Sequence, residues 1–248
     1  MLAIIGGSGL TQLTNLQIRH RQVIRTPFGE PSGALTFGHI NSEEVIFLAR
    51  HGYGHTIAPH DVNYRANIWA IHSRGVKDLI SVASVGGIHA DLKPGSIVIP
   101  DQIIDYTHGR QTTYREGRDT PVVHMDFTEP YCQRARELCL RAAEAAGENC
   151  IDGGVYAAVQ GPRLESRAEI NRLERDGATM VGMTGMPEAS LAKEIGMCYA
   201  TIAVVSNFAA GRGTSQDAIH YDEVEAVLKQ SMQRVRNILE HLVALHAS

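Results

Sequence analysis

The sequence predicts an α/β fold in which a central mixed, mostly buried β-sheet is flanked by helices. Short apolar runs alternate along the chain with longer segments of helical periodicity. The runs lack the polar alternation of half-exposed strands, which is typical of strands covered on both faces. No internal repeat, low-complexity tract or Pro/Ser-rich linker interrupts the 248 residues, so one domain over residues 1–248 is expected.

Seven apolar runs are predicted as the buried strands, covering residues 2–5, 45–48, 79–83, 97–99, 155–159, 180–181 and 198–205. Five segments show helical patterns, namely residues 62–72, 131–146, 166–175, 187–195 and 221–246. Pro187 followed by Glu188 favours a helix start, because proline suits the first helical position and an acid suits the first turn. Apolar residues at steps of three and four predict that the last helix is amphipathic.

The composition excludes several classes of protein. A hydrophobic content of 44% with 20% charged residues describes an ordinary folded chain. The formal charge of −4 and the lack of Lys/Arg runs argue against a nucleic-acid partner. The apolar N-terminus has no cationic segment before it, and no apolar run reaches about 18 residues. Neither a signal peptide nor a membrane partner is therefore expected.

The cysteines give a prediction about redox state and metals. Cys132, Cys139, Cys150 and Cys198 show no CxxC spacing and no companion histidine at zinc-finger distance. A reduced, cytoplasmic protein without a metal site is the simplest interpretation.

An Arg-His pair between an apolar strand and an apolar helix indicates an anion site. Arg50 offers a planar fork of donors that matches a tetrahedral oxyanion, and His51 can add a neutral or charged donor. A solvated loop with a strand-end arginine is the alternative. The glycines at residues 6–9 also follow a strand and allow amides to face an anion. They are not a dinucleotide fingerprint, because Gln12 stands where the third glycine would be.

Three further strand ends carry polar groups or glycines, around Ser84, Thr184 and Asn207. Ligands in open α/β sheets bind beyond the carboxyl ends of strands. Each of these corners alone is as consistent with a simple turn, but together they favour a shared pocket.

Long motifs in one order across nearly the whole chain resemble those of a known family. They are IIGGSGL, TPFGEPSGAL, LARHGYGHTIAPHDVNYRANIWAI, GGIHADLKPGSIVIPDQIIDYT, QGPRLESRAEI, GMTGMPEASLAKEIGMCYA and SNFAAG. The sequence resembles the trimeric purine nucleoside phosphorylases, and among them the 5′-methylthioadenosine phosphorylase branch. The resemblance implies cleavage of a nucleoside's N-glycosidic bond by inorganic phosphate, without a metal or organic cofactor. It also implies a homotrimer with its sites near subunit interfaces.

The resemblance also implies roles for particular residues. Phosphate oxygens would be held by the side chains of Ser8, Arg50, His51 and Thr184 and by backbone amides near Ala83 and Ser84. Met183 would lie against the ribose, and the stretch Asn207, Phe208 and Ala209 would bind the base, with Asn207 as the catalytic residue. His55 and His60 are expected to have structural roles.

Two departures from the methylthioadenosine pattern favour a 6-oxopurine base. Family members that act on 6-aminopurines resemble each other in an Asp-x-Asp pair where this chain has Asn207, Phe208 and Ala209. Asparagine can donate to a C6 carbonyl oxygen and accept from a protonated N7, whereas an ionised aspartate cannot donate. Glu165 matches the glutamate of the inosine- and guanosine-cleaving relatives and can accept from N1–H of hypoxanthine. The alternative for Glu165 is an exposed acid that caps the helix at 166–175.

The remaining specificity residues concern base stacking and the 5′ group. Leu164 replaces an aromatic residue common in the family, so stacking on the base is expected to be weaker or to come from elsewhere. Ile219 and Val224 could line an apolar pocket for a 5′-methylthio group, or be plain core residues.

Together these features predict phosphorolysis of 5′-methylthioinosine. The alternatives are an inosine/guanosine phosphorylase and a 5′-methylthioadenosine phosphorylase. From other classes, a nicotinamide-dependent oxidoreductase is disfavoured at Gln12. A non-catalytic nucleoside-binding protein is disfavoured by Ser8, Arg50, His51 and Thr184.

Overall fold

Strand β5 (Asp78–Gly87) lies at the centre of the sheet in the computed structural model, which describes residues 1–117 and 120–247. Arg118, Asp119 and Ser248 of the predicted domain lie outside these ranges. The other strands within the described residues are β1 (Leu2–Gly6), β2 (Gln17–Gln22), β3 (Leu35–Ile40), β4 (Glu43–Ala49), β6 (Ile97–Ile99), β7 (Gln102–Asp105), β8 (Ile151–Asp152), β9 (Val155–Ala158), β10 (Met180–Gly182) and β11 (Cys198–Phe208). The described helices are α1 (Tyr64–His72), α2 (Gln133–Ala145), α3 (Arg167–Arg175), α4 (Gly185–Glu194) and α5 (Tyr221–Ala247).

The sheet is mixed, as predicted, and β5 changes partners along its length. β5 pairs in parallel with β1 and β11, while its last two residues pair antiparallel with β10. On one side β1 continues to β4, β3 and β2, and on the other β10 continues to β9 and β7. The strands that pair in parallel end at one edge of the sheet, which is where ligands bind in such folds. A mixed α/β domain with a helix-flanked central sheet is thereby confirmed.

All the predicted strands and helices form, and four strands were not predicted. β2 is exposed along its whole length, so it has no apolar pattern to reveal it. β3, β7 and β8 also lie outside the predicted strands. The start of α4 differs from prediction, because Met186 and Pro187 have non-helical backbone angles and the regular helix begins after them.

Helices cover both faces of the sheet and bury it in two main apolar clusters. One cluster includes residues of α1 and α4, such as Ile68 and Leu191. The other includes α2 and the second half of α5, with Leu138, Val235 and Leu239 fully or nearly fully buried. Burial of apolar surface is the main stabilising term in such a core.

Two of the four cysteines are paired, contrary to the expectation that all are reduced. Cys132 precedes α2 and Cys198 begins β11, and a disulfide joins them across 66 residues of sequence. The fold brings the two side chains together, which their spacing in the sequence could not show. Cys139 and Cys150 are free thiols. None of the described helices combines the length and apolarity needed to cross a bilayer.

Candidate active site

The carboxyl ends of β1, β4, β5, β10 and β11 open into one cavity of about 520 Å³. Of the residues that the sequence predicted for the site, every one except Phe208 lines this cavity. They are Ser8, Arg50, His51, Ala83, Ser84, Leu164, Glu165, Met183, Thr184, Asn207, Ala209, Ile219 and Val224. The volume lies within the range typical of small-molecule sites.

Phe208 was predicted to bind the base together with Asn207 and Ala209, but its side chain does not line the cavity. The ring of Phe208 packs against Gly213, where an added Cβ would collide with it. Successive side chains of a strand point to opposite faces, so Phe208 turns away from the cavity that Asn207 lines.

Arg50 is fully buried at one end of the cavity and is held by a partner that the sequence did not reveal. Its Nε donates to Oε1 of Glu188 at 2.7 Å, and its Nη2 donates to Oε2 at 2.9 Å. Nη2 also donates to Ser81 Oγ at 2.6 Å, and Nη1 donates to the Val82 carbonyl at 3.1 Å. These bonds leave one Nη1 hydrogen free to donate to an anion.

Glu188 is itself completely buried, although its place after Pro187 suggested only a first-turn acid. Tyr199 donates its hydroxyl to Oε2 of this carboxylate at 2.9 Å. Burial opposes the charge of Arg50, but Glu188 outweighs that effect and raises the Arg50 pKa above its ordinary value. Glu188 therefore keeps Arg50 charged and fixed in orientation.

The neighbouring glycine at position 7 is required by this arrangement. An added Cβ on Gly7 would lie 2.7 Å from Arg50 Nη1 and 2.8 Å from the Val82 carbonyl oxygen. Any side chain at this position would displace the guanidinium that lines the cavity.

His51 has a defined tautomer and is neutral at pH 7. Its Nδ1 lies 2.8 Å from the Ile57 carbonyl oxygen, which can only accept, so Nδ1 carries the proton. Burial, and next the charge of Arg50, lower the His51 pKa to about 4. Nε2 of the neutral ring is consequently an acceptor, where the sequence suggested a donor. His55 also lines the cavity, with its ring 4.8 Å from that of His51, whereas His60 lies beside Asp61.

Thr184 is buried between the end of β10 and the start of α4. Its backbone N–H donates to the Tyr156 hydroxyl at 3.4 Å. Ser8 is half-buried in the turn that follows β1. The two hydroxyl-bearing residues line the same cavity as Arg50.

A β-bulge sets the position of Asn207. The pairing of β11 with β5 shifts register between Val205 and Asn207, which leaves Ser206 as the extra residue. Ser206 Oγ donates to Asn207 Oδ1 at 2.7 Å, and Asn207 Nδ2 donates to the Phe208 carbonyl at 2.8 Å. Because that carbonyl can only accept, the amide orientation is fixed. One N–H and one lone pair of Asn207 remain for a ligand.

Glu165 lines the cavity and does not cap α3. Ser166 is the helix N-cap, and it forms a capping box with Glu169. This arrangement removes the alternative that the sequence left open for Glu165. Burial raises the pKa of Glu165 above its ordinary value.

The remaining wall of the cavity is mainly apolar and belongs to α5 and the residues before it. Ile219, Val224 and Leu228 are half-buried here, and Tyr221 and Leu228 extend the wall that the sequence predicted from Ile219 and Val224. Tyr221 is 71% exposed, so this wall is open to solvent. Spacings of three and four residues along α5 place these side chains on one face of the helix.

Comparison with known proteins agrees with this geometry. The model of the Phosphorylase superfamily matches residues 1–244. A probable S-methyl-5′-thioinosine phosphorylase of Pseudomonas syringae is 47% identical over 242 residues, covering 98% of both chains. The 6-oxopurine nucleoside phosphorylase of Pyrococcus furiosus is 44% identical over 243 residues, covering 96% of this chain and 90% of the relative.

The fold also matches a solved structure. Methylthioadenosine phosphorylase from Schistosoma mansoni in complex with adenine superposes with a TM-score of 0.95 and 33% identity, covering 99% of this chain and 91% of the other. The match spans almost all of the residues that form the sheet and the cavity. The chain belongs to the Phosphorylase superfamily and is a nucleoside phosphorylase.

Proposed function

We propose that the enzyme cleaves 5′-methylthioinosine with inorganic phosphate to give hypoxanthine and 5-methylthioribose 1-phosphate. The observation that carries the base assignment is the fixed amide of Asn207, which offers both a donor and an acceptor. Hypoxanthine presents a C6 carbonyl oxygen and, as N7 gains a proton, an N7–H. The Asn207 amide can donate to the first and accept from the second.

Glu165 supplies the second element of base selection. Its carboxylate accepts from N1–H of hypoxanthine, whereas N1 of adenine is an acceptor and would face it unfavourably. A mismatched buried polar pair costs about 1–3 kcal/mol, or roughly 5- to 150-fold in preference. Ala209 offers no carboxylate for an adenine amino group.

The reaction itself takes place at the Arg50 end of the cavity. A phosphate oxygen forms a bond to the anomeric carbon of the ribose while the bond from that carbon to N9 breaks and its electron pair moves into the purine. The purine takes up a proton from solvent at N7, and the new phosphate ester releases its proton to solvent. Arg50, Ser8, Thr184 and amides near Ala83 and Ser84 hold the phosphate beneath the positively charged sugar of the transition state. Neutral His51 accepts through Nε2 a hydrogen bond from a singly protonated phosphate. Asn207 stabilises the departing base and is the catalytic residue on the leaving-group side.

The 5′ end of the substrate is assigned to the apolar wall. Ile219, Val224 and Leu228 suit a methylthio group, which gains from contact with apolar side chains. Met183, which lines the same cavity, is assigned to the ribose. The relative with 47% identity bears the name of a methylthioinosine enzyme.

The second candidate is an inosine/guanosine phosphorylase. The Pyrococcus furiosus relative bears the name of a 6-oxopurine nucleoside phosphorylase, and exposed Tyr221 brings a hydroxyl to the apolar wall. We also propose a cytoplasmic homotrimer that needs no metal or organic cofactor. Mass photometry tests the trimer, and activity in the presence of a chelator tests whether a metal is needed.

The decisive assay measures kcat/KM for phosphorolysis of 5′-methylthioinosine, 5′-methylthioadenosine and inosine in parallel. We expect methylthioinosine to exceed methylthioadenosine by about 5- to 150-fold, since two base contacts discriminate between them. A preference for methylthioadenosine would contradict the roles of Asn207 and Glu165. A preference for inosine would contradict the apolar 5′ wall and support the second candidate.

A further inference from the structure

Arg110 lies in the loop after β7 and outside the cavity lining. It donates hydrogen bonds to backbone carbonyls at two strand ends of the site. Its Nη1 donates to the Met183 carbonyl at 2.8 Å and to the Met186 carbonyl at 2.6 Å. Its Nη2 donates to the Gln160 carbonyl at 2.9 Å and to that of Val159 at 3.3 Å.

These carbonyls belong to the two loops that carry specificity and phosphate residues. Val159 and Gln160 follow β9 and lead to Leu164 and Glu165. Met183 and Met186 flank Thr184 in the loop after β10. One guanidinium thus spans the gap between the base-selecting loop and the loop that holds Thr184.

The remaining contacts orient this guanidinium. Nε donates to Gln160 Oε1 at 3.2 Å, and Nη1 lies 3.2 Å from the Tyr64 hydroxyl. The group also stacks over the Tyr64 ring at 5.3 Å from its centroid. Its partners are carbonyl, amide and phenol oxygens, all uncharged, so the guanidinium acts by its planar fork of donors rather than as half of an ion pair.

We propose that Arg110 is a positioning residue for phosphorolysis, fixing the distance between Glu165 and the Met183–Thr184 segment. The roles of these residues rest on the proposed function, but the effect of Arg110 on the rate does not depend on which nucleoside is the substrate. Lysine cannot replace it, because a compact ammonium with three donors cannot bind two pairs of carbonyls at once.

Arg234 provides a matched control. It is another partly buried arginine, with Nη1 donating to the Gly95 carbonyl at 2.7 Å and Nε donating to Glu148 at 2.6 Å. It lines a different cavity, which shares no residue with the candidate active site. Loss of its contacts should lower stability without moving the residues around the substrate.

The test compares R110A, R110K and R234A with the wild type, using whichever of methylthioinosine, methylthioadenosine and inosine the wild type cleaves fastest. We expect R110A to lose about 100-fold in kcat/KM, which is the loss typical of a 1 Å misplacement of reacting groups. Free guanidinium at about 20 mM should raise the kcat/KM of R110A by at least about tenfold. R110K should remain impaired. R234A should stay within about threefold of wild type, even where its melting temperature falls as far as that of R110A.

Two results would overturn the proposal. One is R110A or R110K activity within about threefold of wild type. The other is a loss in R110A that guanidinium does not recover, because a purely structural role predicts a loss without such rescue. A wild-type enzyme that prefers another nucleoside would contradict the proposed substrate and leave the comparison of these variants intact.

Discussion

The two ends of the cavity differ in how firmly the protein holds its functional side chains. At the end that we propose for phosphate, Arg50 is fully buried and donates to Glu188, Ser81 and Val82. At the other end Glu165 is only partly buried, Ile219 is half-buried and Tyr221 is exposed. The proposed phosphate end is thus built as a connected, buried network.

The difference suggests that one end of the cavity serves the reaction and the other end selects the substrate. Side chains in a buried network are rigid, and removing one partner leaves others unsatisfied. Side chains with few protein partners can change without disturbing the rest of the fold. We expect substitutions at the Arg50 end to affect all nucleosides equally, and substitutions at the other end to redistribute activity among them.

The largest effect is expected from E188Q, which removes the charge that holds Arg50. Breaking a buried ion pair on one side costs about 3–5 kcal/mol in stability. Loss of a correctly placed anion donor costs on the order of 10²–10³ in rate. Urea unfolding and kcat/KM for methylthioinosine and inosine measure both effects, and the two nucleosides should lose the same factor.

The control for E188Q is E137Q. Glu137 is an exposed carboxylate on α2 that accepts from Gln133 Nε2 at 3.0 Å, and a hydrogen bond of this kind contributes at most about 1.5 kcal/mol. Unequal losses for the two nucleosides in E188Q would contradict the division between the two ends.

An intermediate effect is expected from N207D, which changes the choice of base. The aspartate keeps the acceptor but loses the donor for a C6 carbonyl, so the ratio of methylthioinosine to methylthioadenosine activity should fall by about 5- to 150-fold. Parallel assays of the two nucleosides and a thermal melt give the measurement. N237D is the matched control, because Asn237 lies outside the cavity lining and its Nδ2 donates to the Ala146 carbonyl at 3.2 Å. An unchanged ratio in N207D would mean that Asn207 does not read the base.

The smallest effect is expected for His51 and concerns stability. Its pKa is about 4 in the folded protein and about 6.5 in an unfolded chain. Between these values the unfolded chain binds more protons, so the free energy of unfolding should fall as pH decreases from 6.5 to 4, by at most about 1.4 kcal/mol per pH unit. Urea unfolding at several pH values should show a shallower slope for H51Q. Equal slopes would mean that folding does not lower the pKa of His51.

Sequence patterns predicted the buried part of the fold and the strand ends of the site well, because both depend on local features. Apolar runs located the strands that carry Arg50 and Asn207. The exposed strand β2 has no apolar face, so no pattern could show it. The direction of the Phe208 side chain depends on the alternation of side chains along β11 and on the bulge at Ser206. The sequence does not show the bulge, so it could not predict this direction.

Contacts between distant segments could not be predicted from the sequence. Glu188 is 138 residues from Arg50, and Cys132 is 66 residues from Cys198. Arg110 makes most of its hydrogen bonds to backbone carbonyls, which every residue possesses, so no side-chain motif could indicate those partners. Only the fold shows which of these groups meet.

Helix α5 has a further consequence for how such enzymes diversify. Its buried residues begin at Ser231, whereas its first ten positions, which include Tyr221, Val224 and Leu228, are half-buried or exposed. The same helix therefore packs in the core with its second half and lines the cavity with its first, at the wall that we propose for the 5′ group. Mutations in those first turns can alter the sugar preference with little loss of folding stability. Evolution can therefore change between methylthio and hydroxyl substrates at this wall without destabilising the core.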